Sequence, residues 1–335
     1  MMMNALISPY HDSVLSLIGN TPLVRLSRVC SDSIDVYAKI EAANPGGSIK
    51  DRPALRIVKD AIKDERIRKD TVVIESSSGN MAIGLAQACL YYGLRFICVT
   101  DSRTSTANIQ ILRTYGAEVD IITQPEPVTG DFLTARLNRV QELIRQHPNS
   151  YWPNQYANLG NACAHYETMA EISETLNGKV DYLFCTTGTC GTLRGCADYI
   201  RTRRMSTFVY AVDAKGSAIF GDKKAPRLIP GHGSAIRPEL FHPDLADQCI
   251  HVSDVDCIVG CRRLLKQEAI FAGGSSGGAI SALERVSGLI EPGSTCVVIL
   301  PDRGERYMDT IYSDEWVNQQ FGDISHMWAR NTRNE

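Results

Sequence analysis

Several absences narrow what this chain can be. No apolar run approaches the roughly 18 residues that a membrane span needs, and the densest late segment, Cys296-Val-Val-Ile-Leu300, stops at Pro301. The first ten residues carry neither a basic stretch nor a long apolar core, so no signal peptide is expected there. There is no excess of positive charge. The 35 Lys and Arg face 38 Asp and Glu, a net charge of −3, which argues against binding duplex nucleic acid. Cysteine is plentiful at 11 residues, but no two stand in a C-x-x-C pair, the usual mark of structural zinc. Their odd count and irregular spacing read instead as mostly buried, apolar-like thiols in a reducing cytoplasm. Internal repeats and low-complexity tracts are absent as well.

What remains is ordinary globular material. The chain has 335 residues, 44% apolar and 22% charged, enough for two domains of roughly 100–200 residues each. Short apolar runs alternate with helical patterns, which marks an α/β protein with parallel sheet. Strands are expected at 36–40, 71–75, 95–100, 119–123, 182–186, 208–213 and 295–300. Helices are expected at 50–68, 81–92, 106–115, 131–146, 162–176, 192–203, 254–267 and 278–289. The stretch from 215 to 248 is irregular and rich in Gly, Pro and Lys, and segments of that length are usually functional or mobile. The break between two blocks falls near Tyr151-Trp-Pro-Asn-Gln155.

Four loops carry chemistry, each read as joining a strand to a helix, where ligands of open α/β sheets collect. Asn44-Pro-Gly-Gly-Ser-Ile-Lys50 places a lysine at a helix start, where the helix dipole disfavours a cation and favours a lowered pKa; an ordinary exposed lysine is the alternative. Glu75-Ser-Ser-Ser-Gly-Asn80 offers hydroxyls and free N–H groups to a carboxylate, or simply caps a helix. Thr186-Thr-Gly-Thr-Cys-Gly-Thr192 could cradle a phosphate on a helix N-terminus, or be a tight turn. It has neither the G-x-G-x-x-G register nor a Walker lysine, so a dinucleotide or ATP is not favoured. Phe271-Ala-Gly-Gly-Ser-Ser-Gly-Gly278 is the fourth, with a flexible capping turn as its alternative.

In this order the loops resemble those of the fold-type II pyridoxal-phosphate enzymes, the cysteine synthase and cystathionine β-synthase family. The likeness runs from Gly19-Asn-Thr-Pro22 to Pro301-Asp-Arg-Gly-Glu-Arg306. It implies a two-domain α/β fold with open, mostly parallel twisted sheets flanked by helices. A smaller substrate-closing domain would span 45–155, and a larger cofactor-binding domain 10–44 plus 156–325. Pyridoxal 5'-phosphate would lie in the cleft, and the chain would form a homodimer. Lys50 would hold the cofactor as an imine and, once displaced, act as general base. Asn80 would bond the cofactor's 3-hydroxyl, and Ser77, Ser78 and Gly79 would grip the substrate α-carboxylate. Gly188, Thr189, Cys190, Gly191 and Thr192 would hold the phosphate, with Cys190 where the family has glycine. Ser275 would bond the pyridine nitrogen. An uncharged serine there leaves the ring a weaker electron sink, which suits β-elimination and replacement better than transamination.

Other stretches bear on the substrates. Lys215, just after a strand end, matches a place where relatives that use O-phosphoserine carry a basic residue, and a phosphate leaving group needs fixed positive charge. Arg303 stands where acetylserine enzymes have small polar residues; surface charge is the alternative for both. Residues 152–158, 212–217, 219–223, 270–275 and 312–316 are similar to a siderophore-pathway branch of the family. In that branch O-phosphoserine loses phosphate and the glutamate amine adds in its place, on the way to 2,3-diaminopropionate. Glutamate brings two further carboxylates, for which Tyr156 and Arg136 are candidates, although Arg136 on an amphipathic helix could equally be a surface residue. A cysteine synthase using O-phosphoserine or O-acetylserine with sulfide is the first rival. A non-catalytic binding or regulatory protein on the same fold is the second, with the intact Lys50 against it.

Overall fold

Short, nearly continuous apolar runs build two separate sheets in the computed structural model, which describes residues 11–29, 33–221, 223 and 225–329. The expectations placed on the first ten residues, on Cys30 and on Asp222 fall outside this range. In chain order the elements are β1 (Leu23–Leu26), β2 (Asp35–Ile40), α1 (Asp51–Lys63), β3 (Val72–Ser76), α2 (Asn80–Tyr92), β4 (Arg95–Asp101) and α3 (Thr106–Thr114). There follow β5 (Glu118–Ile122), α4 (Phe132–Gln146), β6 (Ser150–Tyr151), α5 (Leu159–Thr175), β7 (Tyr182–Thr186), α6 (Gly191–Arg203) and β8 (Phe208–Ala214). The chain ends with β9 (Gln248–Val252), α7 (Asp254–Glu268), α8 (Gly274–Val286), β10 (Thr295–Leu300), α9 (Asp314–Phe321) and α10 (His326–Ala329).

One sheet has six strands in the order β1-β2-β10-β7-β8-β9, parallel except for β1. The other has four, β5-β4-β3-β6, all parallel. Parallel sheets need cover on both faces, and this one has it. Phe184, Tyr210, Val212 and Val298 face the core shared with α7 and α8. Their neighbours Leu183, Ala211, Val297 and Ile299 face the core shared with α5 and α6. In the smaller sheet Val73 and Cys98 meet α1 and α2, while Ile74 and Val99 meet α4.

The α/β architecture with mostly parallel sheets is as expected. Four local expectations need correction. The first helix ends at Lys63, and Glu65 turns the chain with φ at +57°. Strands β1, β6 and β9 escape the sequence pattern; β1 leaves Val24 and Arg25 exposed at the sheet edge, and β6 is only two residues long. The fourth loop follows α7 instead of a strand. Its helix also starts at Gly274, four residues before the expected position, so Ser275 to Gly278 lie inside α8. These glycines read as loop because glycine breaks helices, but here they allow helix contact: a Cβ on Gly277 would lie 2.0 Å from the Cys257 carbonyl of α7.

Candidate active site

Lys50 is the N-cap of α1, and its loop is pinned to the end of β10. The Ile49 N–H donates to the Pro301 carbonyl at 2.7 Å, and Ile49 is buried in the core shared with α5 and α6. Behind the loop lies a buried ion network. Arg52 bonds Glu41 at 2.7 Å and Glu171 at 2.6 Å, and Lys39 bonds Glu171 at 2.6 Å. Glu171 also accepts from the Asn20 N–H, tying the Gly19-Asn-Thr-Pro22 segment into the network. These cations draw the Glu171 carboxyl down to about 2 in spite of its partial burial. Lys50 itself is half-buried, and desolvation lowers its pKa against the opposing pull of Cys185, Asp302, Glu41 and Cys190. A lysine so placed is more nucleophilic than an exposed one.

The Thr186 to Thr192 turn stands at the carboxyl end of β7 and opens α6. Cys190 takes φ +63°, the left-handed region that glycine favours, so the backbone keeps a glycine's course despite the substitution. Its side chain is absorbed by an apolar pocket of Ile219 and Leu240 from the long 215–248 segment. Burial raises its thiol pKa. Gly191 has no such freedom, because a Cβ there would meet Asn161 Oδ1 at 2.0 Å. Asn161 is fixed by bonds to the Gln155 carbonyl at 2.8 Å and to Thr189 Oγ1 at 3.0 Å. The N-cap side chain of α6 accepts no hydrogen bond; Gly191 N–H reaches Thr189 Oγ1 at 3.4 Å, and the other first-turn N–H groups can meet a phosphate.

At the carboxyl end of β3, Gly79 is the N-cap of α2 and Asn80 its first residue. Ser77 Oγ accepts from Ala82 N–H at 3.2 Å, and Ser78 and Gly79 are half-buried. Asn80 donates to Asp302 at 2.7 Å and accepts from Arg306, so the two sheets' loops meet at this amide. Ser275 is buried in the first turn of α8, whose N-cap Gly273 caps nothing. Lys50, Cys190, Asp302 and, through Asp302, Asn80 thus share one neighbourhood.

The substrate candidates separate. Arg136, for which a surface place was the alternative, is only 8% exposed; its Nε stands 3.4 Å from Asp101 without a hydrogen bond, and Nη1 has none either. Tyr156 is half-buried, with its hydroxyl pKa raised by desolvation and Arg136, Glu75 and Arg227 within electrostatic reach. Glu75 holds the segment before Tyr156, accepting from Trp152 Nε1 and Gln155 N–H, both at 3.2 Å. Burial pushes its carboxyl up to about 7. Lys215 is exposed at the end of β8. Arg303 pairs with Glu305 at 2.5 Å and lines a cleft of about 270 Å³ with Ile40, Ala43 and Phe271. No local pattern in the sequence marks Arg227, Asp302 or Arg306 as site residues. Arg227 sits in a segment without pattern, and Asp302 and Arg306 acquire meaning only from residues more than 200 positions away.

A desolvated lysine, an uncapped glycine-threonine cradle and a facing serine-asparagine loop define an enzyme that keeps an aldehyde cofactor with a phosphate tail. The chain belongs to the pyridoxal-phosphate dependent enzyme family, whose pattern it matches over residues 14–302. It is similar to cysteine synthase from Entamoeba histolytica, at 31% identity over 98% of this chain and 99% of that one, with a TM-score of 0.86. O-ureido-L-serine synthase matches at 30% identity over 92% and 98%, with a TM-score of 0.84. The O-acetylserine dependent cystathionine β-synthase of Helicobacter pylori matches at 29% over 91% and 99%, also at 0.84. The protein is therefore a pyridoxal-phosphate dependent β-replacement enzyme of the cysteine synthase type, which sets aside the non-catalytic alternative. Of its ten described cysteines, eight are buried. Among the described residues no helix is long and apolar enough to cross a membrane.

Proposed function

We propose that this enzyme converts O-phospho-L-serine and L-glutamate to N-(2-amino-2-carboxyethyl)-L-glutamate and phosphate, a step toward L-2,3-diaminopropionate and a siderophore. One observation carries the reading: Arg136 is buried within electrostatic reach of Tyr156, and although it pairs with Asp101 at 3.4 Å, its Nε and Nη1 lack hydrogen bonds. A buried, under-satisfied cation is costly unless a ligand completes it. Arg227, half-buried near the same tyrosine, adds a second positive charge. Sulfide has no use for such a site, whereas the two carboxylates of glutamate do.

Pyridoxal phosphate supplies the electron sink that lets a leaving group depart from the β-carbon. In this proposal Gly188, Thr189, Cys190, Gly191 and Thr192 hold its phosphate, Asn80 its 3-hydroxyl and Ser275 its ring nitrogen. Ser77, Ser78 and Gly79 orient the substrate α-carboxylate. Lys50, with its lowered pKa, carries the cofactor and then takes the α-proton on Nζ. Lys215 and Arg303 are the candidates for the leaving phosphate, and the domain over 45–155 closes on the domain over 10–44 plus 156–325 to exclude water. The active form is a homodimer in the cytoplasm.

The test is a competition. Purified enzyme receives O-phosphoserine with glutamate and sulfide together, and products are identified by mass spectrometry. The glutamate adduct should dominate; cysteine as the main product defeats the acceptor assignment, and a preference for O-acetylserine defeats the donor. Arg136→Gln should lower kcat/KM for glutamate by about 10²-fold, the scale of a lost buried charged hydrogen bond, and change that for sulfide far less. Equal losses with both acceptors would mean that Arg136 only supports the fold.

A further inference from the structure

The side chain proposed to meet the cofactor's 3-hydroxyl is itself held from the opposite side of the cleft. Asp302 follows β10 and is 1% exposed. Its Oδ2 accepts from Asn80 Nδ2 at 2.7 Å and from the Tyr307 hydroxyl at 2.7 Å. Arg306 donates through Nη1 to Asn80 Oδ1 and through Nη2 to the Gly46 carbonyl at 2.5 Å. A primary amide carries one carbonyl oxygen and two N–H bonds. The oxygen is taken by Arg306 and one N–H by Asp302, so the polar hydrogen left over on Asn80 is its second N–H.

We propose that Asp302 and Arg306 are positioning residues that lock the Asn80 amide with an N–H toward the cofactor, so that the 3-oxygen is received as an acceptor in its ionised form. Flipping the amide would set its carbonyl against the Asp302 carboxylate and its NH₂ against the Arg306 guanidinium. Both contacts would be lost in a part-buried site, where unmade hydrogen bonds to charged groups cost most. The lock also ties two elements together, because Gly46 belongs to the loop that carries Lys50. Asp302 lies within electrostatic reach of Lys50, and its Oδ1 is buried without a hydrogen bond, so the carboxylate is committed to this cluster on its other oxygen. The inference rests on placement of the cofactor at Lys50 and Asn80, and is independent of which substrates react.

The absorption spectrum of the cofactor-loaded protein tests it, since the ionised 3-oxygen gives a longer-wavelength band than the protonated form. Arg306→Met should raise the short-to-long band ratio about tenfold, a shift of ~1.4 kcal/mol, and weaken cofactor affinity by a similar factor. Arg306→Lys keeps a donor for Asn80 Oδ1 and should restore most of the ratio. Asn80→Asp keeps the Arg306 anchor but offers an acceptor to the cofactor, so it should raise the short-wavelength band even if Arg306→Met fails to fold. An unchanged ratio in either soluble variant overturns the proposal. So does a loss of affinity with no change in ratio, which is what a purely structural role predicts. A parent protein that forms no borohydride-reducible adduct at Lys50 would instead fail the placement on which the proposal rests.

Discussion

Two kinds of helix start coexist in this molecule. Helices α3, α4, α5, α7 and α9 begin on Ser105, Asp131, Asn158, Ser253 and Ser313, and each of these side chains accepts a hydrogen bond from its own first turn. Helices α1, α2, α6 and α8 begin on Lys50, Gly79, Cys190 and Gly273, whose side chains accept none. The second group comprises the four loops that the sequence marks as chemical. Every helix start presents N–H groups that side chain, water or ligand must meet. Where the chain supplies the partner, the start is structural. Where the N-cap offers none, loop hydroxyls take only part of the first turn, as Ser77 Oγ takes Ala82 N–H in α2 and Thr189 Oγ1 takes Gly191 N–H in α6, and the remaining N–H groups with the dipole suit an anion such as the cofactor's phosphate.

The sharpest way to break the comparison is at α1. Lys50→Ala should abolish the borohydride-stable pyridoxyl adduct and lower turnover by about 10³-fold, within the range for losing a general base. An adduct retained elsewhere in that variant would show that Lys50 is not the attachment point. At α6, Gly191→Ala places a methyl against a fixed Asn161 at 2.0 Å. Cofactor affinity measured by fluorescence titration should fall at least about tenfold, because the strain of overpacking runs to roughly 1–3 kcal/mol. Unaltered affinity would mean that the α6 turn does not hold the phosphate.

A third change acts behind α1. The Glu171 carboxyl is held at about 2 against an ordinary 4.5, so the unfolded chain takes up its proton first as pH falls. Its contribution is full above about 4.5 and is lost between there and about 2. Allowing for partial solvent exposure, it amounts to about 1–2 kcal/mol. Glu171→Gln should remove that part of the acid dependence of urea unfolding, and an identical pH profile would refute the assignment. The smallest effect belongs to the capped group. Ser253→Ala breaks the capping box of α7 and should cost about 1 kcal/mol of stability while leaving cofactor affinity unchanged. A drop in affinity as large as that of Gly191→Ala would erase the distinction between the two kinds of start.

Much of this was written locally in the chain. The alternation of Val72 to Ser76 or Tyr182 to Thr186 with helical patterns is set by nearest-neighbour period, and it located most strands within a residue. The lysine, serine-asparagine and glycine-threonine loops were also legible, because glycine, proline and hydroxyl residues act on the backbone where they stand. The glycines after Phe271 show the limit. The same Gly-Gly-Ser-Ser-Gly-Gly run can be a turn or the first turn of a helix, and the approach of Gly260 on α7 to Gly277 decided for helix. Arg136 shows it again, since its helical period is the same whether its guanidinium faces water or the interior next to Asp101.

The sequence by itself determined the α/β class and marked Lys50 and the four loops as candidates, all consequences of local backbone preference and short-range pattern. Only the tertiary structure decided that Glu171 and Lys39 brace the lysine's loop. It alone joined Asn80 to Asp302 and Arg306, and left Arg136 buried with unmet donors. Hydrogen bonds and desolvation act across a few ångströms of space, and here they link residues 132 and 222 positions apart. No local pattern encodes which distant side chain will arrive at that distance.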